Sequence, residues 1–200
     1  PDVYGRLYEV ATHLIYERRW NPQELEFTFE GPKRENLHLL QSRDMVTVKN
    51  RASSRHRFQE SPDLRENRIS MGIGVSGGAL CGRAVFTLEQ IHQLRKLHGE
   101  QPLILIRHDT VPDDIKEVSM TQGLLTSRGG QTCHAAIVAA KMAKTCIVGC
   151  EDLVVTKDWA KSAESGREIR CGDMISMDGY RGVLYWGWFP IERHLNLGRE

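Results

Sequence analysis

The chain has 200 residues, 27 basic and 26 acidic side chains and a formal charge of +1, so neither a strongly basic nor a strongly acidic partner is implied, and its length fits one large or two small domains at about 100–200 residues each. No apolar run approaches the roughly 20 residues that span a bilayer, and no charged-then-apolar leader opens the sequence. Five cysteines, an odd number without disulfide-like spacing, fit a reducing compartment, so a cytoplasmic protein without a membrane partner is expected.

Val3, Leu7, Val10, Ala11, Leu14 and Ile15 recur at helical spacing, which predicts an amphipathic helix over 2–19 that Asn21-Pro22 ends. Two strand-like runs follow at 25–29 and 39–43, joined by a polar turn at 31–36 that is longer than a minimal hairpin requires. From 46 to 70 the chain turns polar and basic, with Lys49, Arg51, Arg55, Arg57, Arg65 and Arg68 among serines and a proline, the composition of a linker. Phe58 is the only aromatic interleaved there and the rest of the chain balances the charge, so no nucleic-acid partner is expected.

Beyond residue 70 short strands alternate with helices. Strands are expected at 84–86, 103–107, 123–128 and 145–148, helices at 88–97 and 136–143, and a short helix opened by Pro112-Asp113-Asp114. Asp178-Gly179 marks a turn between strands at 174–177 and 182–186. This mixture is α/β or α+β.

The stretch Gly129-Gly130-Gln131-Thr132-Cys133-His134 joins the strand at 123–128 to a helix with almost no polar face. A helix start offers unpaired N–H groups and a partial positive charge, and two glycines let backbone amides approach an anion, so His134 sits where a phosphoryl group is favoured. The residues alone leave other chemistries open. Cys133-His134 has the composition of a nucleophile and base, although adjacent residues at a helix start point apart. Cys133, His134, Cys146 and Cys150 have zinc-ligand chemistry but no C-x2-C knuckle. Thr132 is a candidate helix cap, and Arg128 either offsets phosphoryl charge or faces solvent.

Residues 123–150, GLLTSRGGQTCHAAIVAAKMAKTCIVGC, resemble the phosphohistidine motif of the phosphoenolpyruvate-utilising enzymes, the family of pyruvate, phosphate dikinase and phosphoenolpyruvate synthase. Ile104 to Arg107, the segment Thr110-Val111-Pro112-Asp113-Asp114-Ile115 and the glycine-rich stretch 72–86 are similar to the same domain. The resemblance implies a layered β/β/α swivelling domain over 71–190, followed from 191 to 200 by the start of a linker to a missing phosphoenolpyruvate/pyruvate barrel. It makes His134 the phosphoryl carrier, with Arg128, Gly129, Gly130 and Thr132 stabilising the group. Ala140 stands where the family commonly has arginine, and the T-C-H form is that of synthases.

Glu26, Gln41 and Arg43 resemble the end of the family's ATP-grasp nucleotide domain, which would occupy 1–45. The resemblance gives Glu26 and Gln41 to Mg2+ and ATP, and Arg43 to the phosphate chain; oxygen donors suit magnesium and a guanidinium fork suits phosphate. His134 would then carry the β-phosphoryl of ATP to pyruvate, with phosphate or water as co-substrate, Mg2+ bound with ATP only in the full-length enzyme, and a homodimer among the expected assemblies. The alternatives are a non-catalytic regulatory module on the same fold and a carrier like enzyme I of the sugar phosphotransferase system. The isolated fragment is expected to be inactive.

Overall fold

The computed structural model describes residues 2–18, 23–44, 55–110 and 114–194. The chain divides into two compact units, residues 1–47 and 48–200.

In the first unit, helix α1 (Asp2–Thr12) continues into a π-helical turn at His13–Glu17, and strands β1 (Gln23–Phe29) and β2 (Leu37–Asp44) form an antiparallel hairpin. Leu7, Val10, Ala11 and Leu14 are half-buried, the face their spacing predicts, and the Tyr4 and Phe29 rings meet edge to face with centroids 6.4 Å apart. Arg34, in the turn of the hairpin, donates to Glu9 Oε1 at 2.5 Å. That guanidinium holds the Glu9 carboxyl below the usual carboxylate range. The α-helical geometry stops at Thr12, short of the expected 19, and Asn21-Pro22 lies outside the described residues.

The second unit opens with β3 (Arg55–Phe58), α2 (Pro62–Glu66), β4 (Arg68–Met71), β5 (Ile73–Ser76) and β6 (Ala79–Val85). Three crossovers follow: α3 (Leu88–His98) to β7 (Leu103–Arg107), α4 (Ile115–Met120) to β8 (Gly123–Thr126), and α5 (His134–Lys141) to β9 (Thr145–Val148). The remaining strands are β10 (Leu153–Val155), β11 (Trp159–Ser162), β12 (Glu168–Arg170), β13 (Met174–Asp178), β14 (Val183–Trp186) and β15 (Ile191–His194).

Eight strands form one sheet in the order β4-β14-β13-β6-β7-β8-β9-β5, parallel from β6 to β9 and antiparallel on both flanks. Its parallel strands are covered on both faces, which is why Leu103–Arg107 and Gly123–Thr126 read as apolar runs rather than alternating patterns. On one face α3, α4 and α5 pack Ile91, Leu94, Val118, Ala135, Ala136 and Ala139 against Val85, Leu103, Leu105 and Leu124. On the other, the three-stranded sheet β10-β11-β12 sets Leu153, Ala160 and Ile169 against Ile104, Ile106, Leu125 and Ile147. Helices, large sheet and small sheet are thus the β/β/α layers expected. A serine at each side ties the small sheet to β4: the Ser70 hydroxyl donates to Asp152 Oδ1, and the Ser162 hydroxyl lies 2.7 Å from Oδ2.

The stretch expected as a linker over 46–70 is structured from residue 55. Residues 55–71 form β3, α2 and β4, and Phe58, Leu64 and Ile69 are buried. Ser61 caps α2 by accepting from the Leu64 N–H, with Pro62 at the start, and the Phe58, Tyr185 and Phe189 rings cluster edge to face. The arginines that produced the linker signature, Arg57, Arg65 and Arg68, are exposed while one apolar residue per element points inward. Likewise residues 191–194, expected to begin a linker, pair as β15 with β3 in an antiparallel ribbon. Among the described residues no helix is long and apolar enough to cross a membrane.

Burial pushes the Cys150 thiol from 9.0 up to about 12 and raises the Cys146 thiol as well. The folded chain therefore keeps protons that the unfolded chain has released above about pH 9, so rising pH favours unfolding. Urea titrations at increasing pH should show stability falling by about 1.4 kcal/mol per pH unit for each thiol between about pH 9 and 12. Cys146→Ala with Cys150→Ala should reduce that slope.

Candidate functional site

Parallel strands deliver their following loops to one end of a sheet, and there the loop after β8 turns into α5. Its conformation depends on glycine. Gly129 has φ of +108°, and a Cβ there would stand 2.8 Å from Cys133 Sγ; Gly149 has φ of +68°, and its Cβ would stand 2.7 Å from the Gly129 carbonyl oxygen. Both positions combine a left-handed backbone with close approach, conditions that L side chains meet only with strain. Gly130 has open space around it.

The first half of the loop is fastened down. Ser127 N–H donates to the Arg107 carbonyl at 3.1 Å and Arg128 N–H to the His108 carbonyl at 2.9 Å, continuing the β7–β8 pairing past both strands. The buried Thr126 hydroxyl donates to the Arg128 carbonyl at 2.6 Å. The second half is the helix start. Cys133 occupies the N-cap with extended geometry and makes no side-chain cap bond; its carbonyl accepts from Ile137 N–H at 3.1 Å. The cap position thus falls to Cys133 and not to Thr132, which lies one residue earlier and is exposed.

His134 is the first residue of α5 and half-buried, and its Nε2 is buried with no hydrogen-bond partner. Ala135, Ala136 and Ala139 are fully buried, so methyl-sized side chains let the helix lie close on the sheet and fix where His134 projects. Arg128, Gly129 and Gly130 are exposed. The structure therefore brings Arg128, Gly129, Gly130, Thr132 and His134 together on one loop, and Ala140 sits half-buried farther along α5. The imidazole, backbone amides and helix start form an arrangement able to accept and hold an anion.

Cys146 and Cys150 belong to cores on opposite faces of the large sheet, which removes the geometric basis for a shared zinc site. Among the described residues no group of three or more His, Cys, Asp or Glu side chains is placed to hold a metal.

A cleft of about 650 Å³ opens beside the loop, on the side of the small sheet, lined by His108, Ser127, Arg128, Glu151 and apolar β10 residues. The Ser127 hydroxyl lies 2.9 Å from His108 Nδ1 and 3.2 Å from the His108 carbonyl oxygen. The sequence pattern assigns nothing to His108 or Glu151. Only their place at the ends of β7 and β9, a product of the strand order, connects them with the loop.

The second set of expected residues lies in the first unit. Glu26 and Gln41 are direct cross-strand partners and both exposed; a bulge follows, with Phe27 opposite Leu39. Facing oxygen donors of this kind fit the coordination chemistry of magnesium. Arg43 pairs through its backbone with Glu24, and the placement of its side chain lies outside the described structure.

The second unit is thus a three-layered α/β domain with a histidine at a glycine-turned helix start. Residues 99–182 match the mobile domain of the PEP-utilising enzymes, and the chain belongs to that family. It is similar to pyruvate, phosphate dikinase of Rickettsia felis, 31% identical over 96% of this chain, and of Clostridium symbiosum, 31% identical over 94% of this chain. The dikinase of Entamoeba histolytica is 33% identical over 96% of this chain. In each case the match spans 24% of the relative's length, so the chain covers about a quarter of these relatives.

Gly129→Ala is expected to destabilise the second unit by about 1–3 kcal/mol through the enforced left-handed backbone and the Cys133 contact. Gly130→Ala, with open space at its Cβ, should be neutral or stabilising by up to about 1 kcal/mol. Paired denaturant titrations of the two variants check the contrast.

Proposed function

We propose that this chain is the phosphoryl-carrying segment of a pyruvate, phosphate dikinase-type phosphotransferase. The observation that carries this reading is the position of His134, on a glycine-turned helix start at the carboxyl ends of parallel strands, within a family-matched domain. A neutral imidazole is a competent nucleophile near pH 7. Its lone pair attacks the β-phosphorus of ATP as the bond to the α-phosphate breaks and AMP departs; inorganic phosphate then takes the γ-phosphoryl group as pyrophosphate, or water takes it as phosphate, and the N–P bond left on the ring keeps enough transfer potential to phosphorylate pyruvate. The start of α5 and the Gly129-Gly130 turn hold the phosphoryl oxygens, while Arg128 offsets their charge.

Glu26 and Gln41 would hold Mg2+, and Arg43 would steady the phosphate chain, as part of an ATP-grasp domain. The metal, when bound, neutralises phosphate charge. Nucleotide-binding residues and His134 belong to separate compact units, an organisation suited to a carrier that moves between donor and acceptor sites. All the relatives named above are dikinases, which favours phosphate over water as co-substrate.

The test is a chimera in which this chain replaces the matching segment of the Clostridium symbiosum dikinase. Label from ATP carrying 32P at the β position should appear as an acid-labile adduct, and His134→Asn should reduce it to background. Persistence of that label in His134→Asn would defeat the proposal. A requirement for inorganic phosphate, with pyrophosphate released, identifies the dikinase reaction over the synthase one.

A further inference from the structure

Among the described residues, three buried side-chain polar atoms lack a hydrogen-bond partner: Arg107 Nε, Thr110 Oγ1 and His134 Nε2. Leaving such an atom unsatisfied costs about 1–3 kcal/mol, and native interiors hold few. All three lie at the same end of the large sheet. Arg107 ends β7, Thr110 lies three residues further along, and His134 opens α5 after β8. Strands β7 and β8 are neighbours and parallel, so both following loops leave the same end of the sheet. They run side by side through the backbone bonds from Ser127 to Arg107 and from Arg128 to His108.

The faces agree as well. Along β7, Leu103 and Leu105 pack into the helix-side core, while Ile104 and Ile106 pack into the other. Alternation then turns Arg107 toward the helix layer, where its Nη2 lies 2.5 Å from Glu117 and 3.4 Å from Asp114. Helix α5, with His134 as its first residue, packs on that same face. The two carboxylates occupy one end of the guanidinium and leave Nε–H, which can only donate. Thr110 is 7% exposed, and its backbone N–H is engaged by the Asp109 carboxylate at 2.7 Å, leaving the hydroxyl as its available donor.

Two donors with no acceptor, at the end of β7 and just past it, at the sheet end where the histidine lies, call for an acceptor-rich group. We infer that the Thr110 hydroxyl and the Arg107 Nε–H bind oxygens of the phosphoryl group borne by His134, making the stretch from Arg107 to Thr110 the second wall of the phosphoryl site. The inference rests on the carrier role proposed for His134. Because Asp114 and Glu117 already face the guanidinium, the site holds the phosphoryl group by directed donors more than by net positive charge, which suits a group that must leave again.

The test uses the 200-residue chain alone, phosphorylated with potassium phosphoramidate. An imidazole lone pair attacks phosphorus, the P–NH2 bond breaks, and ammonia departs with the proton released from the ring. Mass spectrometry of the peptides follows formation and decay of the adduct at His134, with the other histidines as internal references. Thr110→Val should shorten the adduct's half-life at His134 about tenfold, leave the reference histidines unchanged, and not lower Tm, because the lost hydroxyl had no partner. Thr110→Ser should restore the half-life, and Arg107→Lys, which keeps the charge but lacks Nε–H, should shorten it. Wild-type half-lives in both Thr110→Val and Arg107→Lys would overturn the inference while leaving the carrier role intact. Absence of any adduct on His134 in the unaltered chain would overturn both.

Discussion

Everything at the candidate site depends on how the chain leaves β8 and enters α5. Leu124 and Leu125 face opposite cores of a sheet covered on both sides, so β8 cannot shift register without burying the wrong side chains. Ala135, Ala136 and Ala139 seat α5 on that sheet with no room to spare. Between these fixed elements the backbone turns through Gly129, in a conformation closed to other residues without strain, and Gly149 yields space for the Gly129 carbonyl. His134 is therefore placed by packing rather than by its own hydrogen bonds. A carrier of the kind proposed must present its reactive group in the same geometry to two partners, and a rigid helix start suits that requirement.

The parts legible in sequence are those with strong local signals. The apolar run Leu103–Arg107, the segment Thr145–Val148 and the Asp178-Gly179 turn were sufficient to locate β7, β9 and the β13–β14 hairpin. The α3 boundaries follow from Thr87 at the cap and Gly99, with φ of +64°, at the end. Less legible were elements in which a single apolar residue is buried. Leu64 in α2, Ala160 in β11 and Ile169 in β12 are enclosed by partners distant in sequence, so the flanking polar residues obscure them and the arginines of β3 to β4 imitate a linker.

The site was legible to a different degree in each of its parts. His134 and its glycines announce themselves because a helix start, a left-handed turn and an imidazole occur within one short stretch. Thr110, Arg107 and His108 carry no such mark. They reach the neighbourhood of His134 only because β7 and β8 are adjacent and parallel, a relation that depends on pairing across the sheet. The hairpin of the first unit shows the intermediate case: strand pattern predicted the hairpin, but only the register across the bulge sets Glu26 opposite Gln41.

On the proposed function, His134 itself bears the transferred group. Phosphorus–proton correlation by NMR on the phosphorylated chain reads this bond directly, through coupling between phosphorus and the ring protons of one histidine. A single dominant phosphorus resonance correlated with the His134 ring is expected. Correlation with another histidine, or a phosphoryl group found on Thr132 or Cys133 instead, would contradict it.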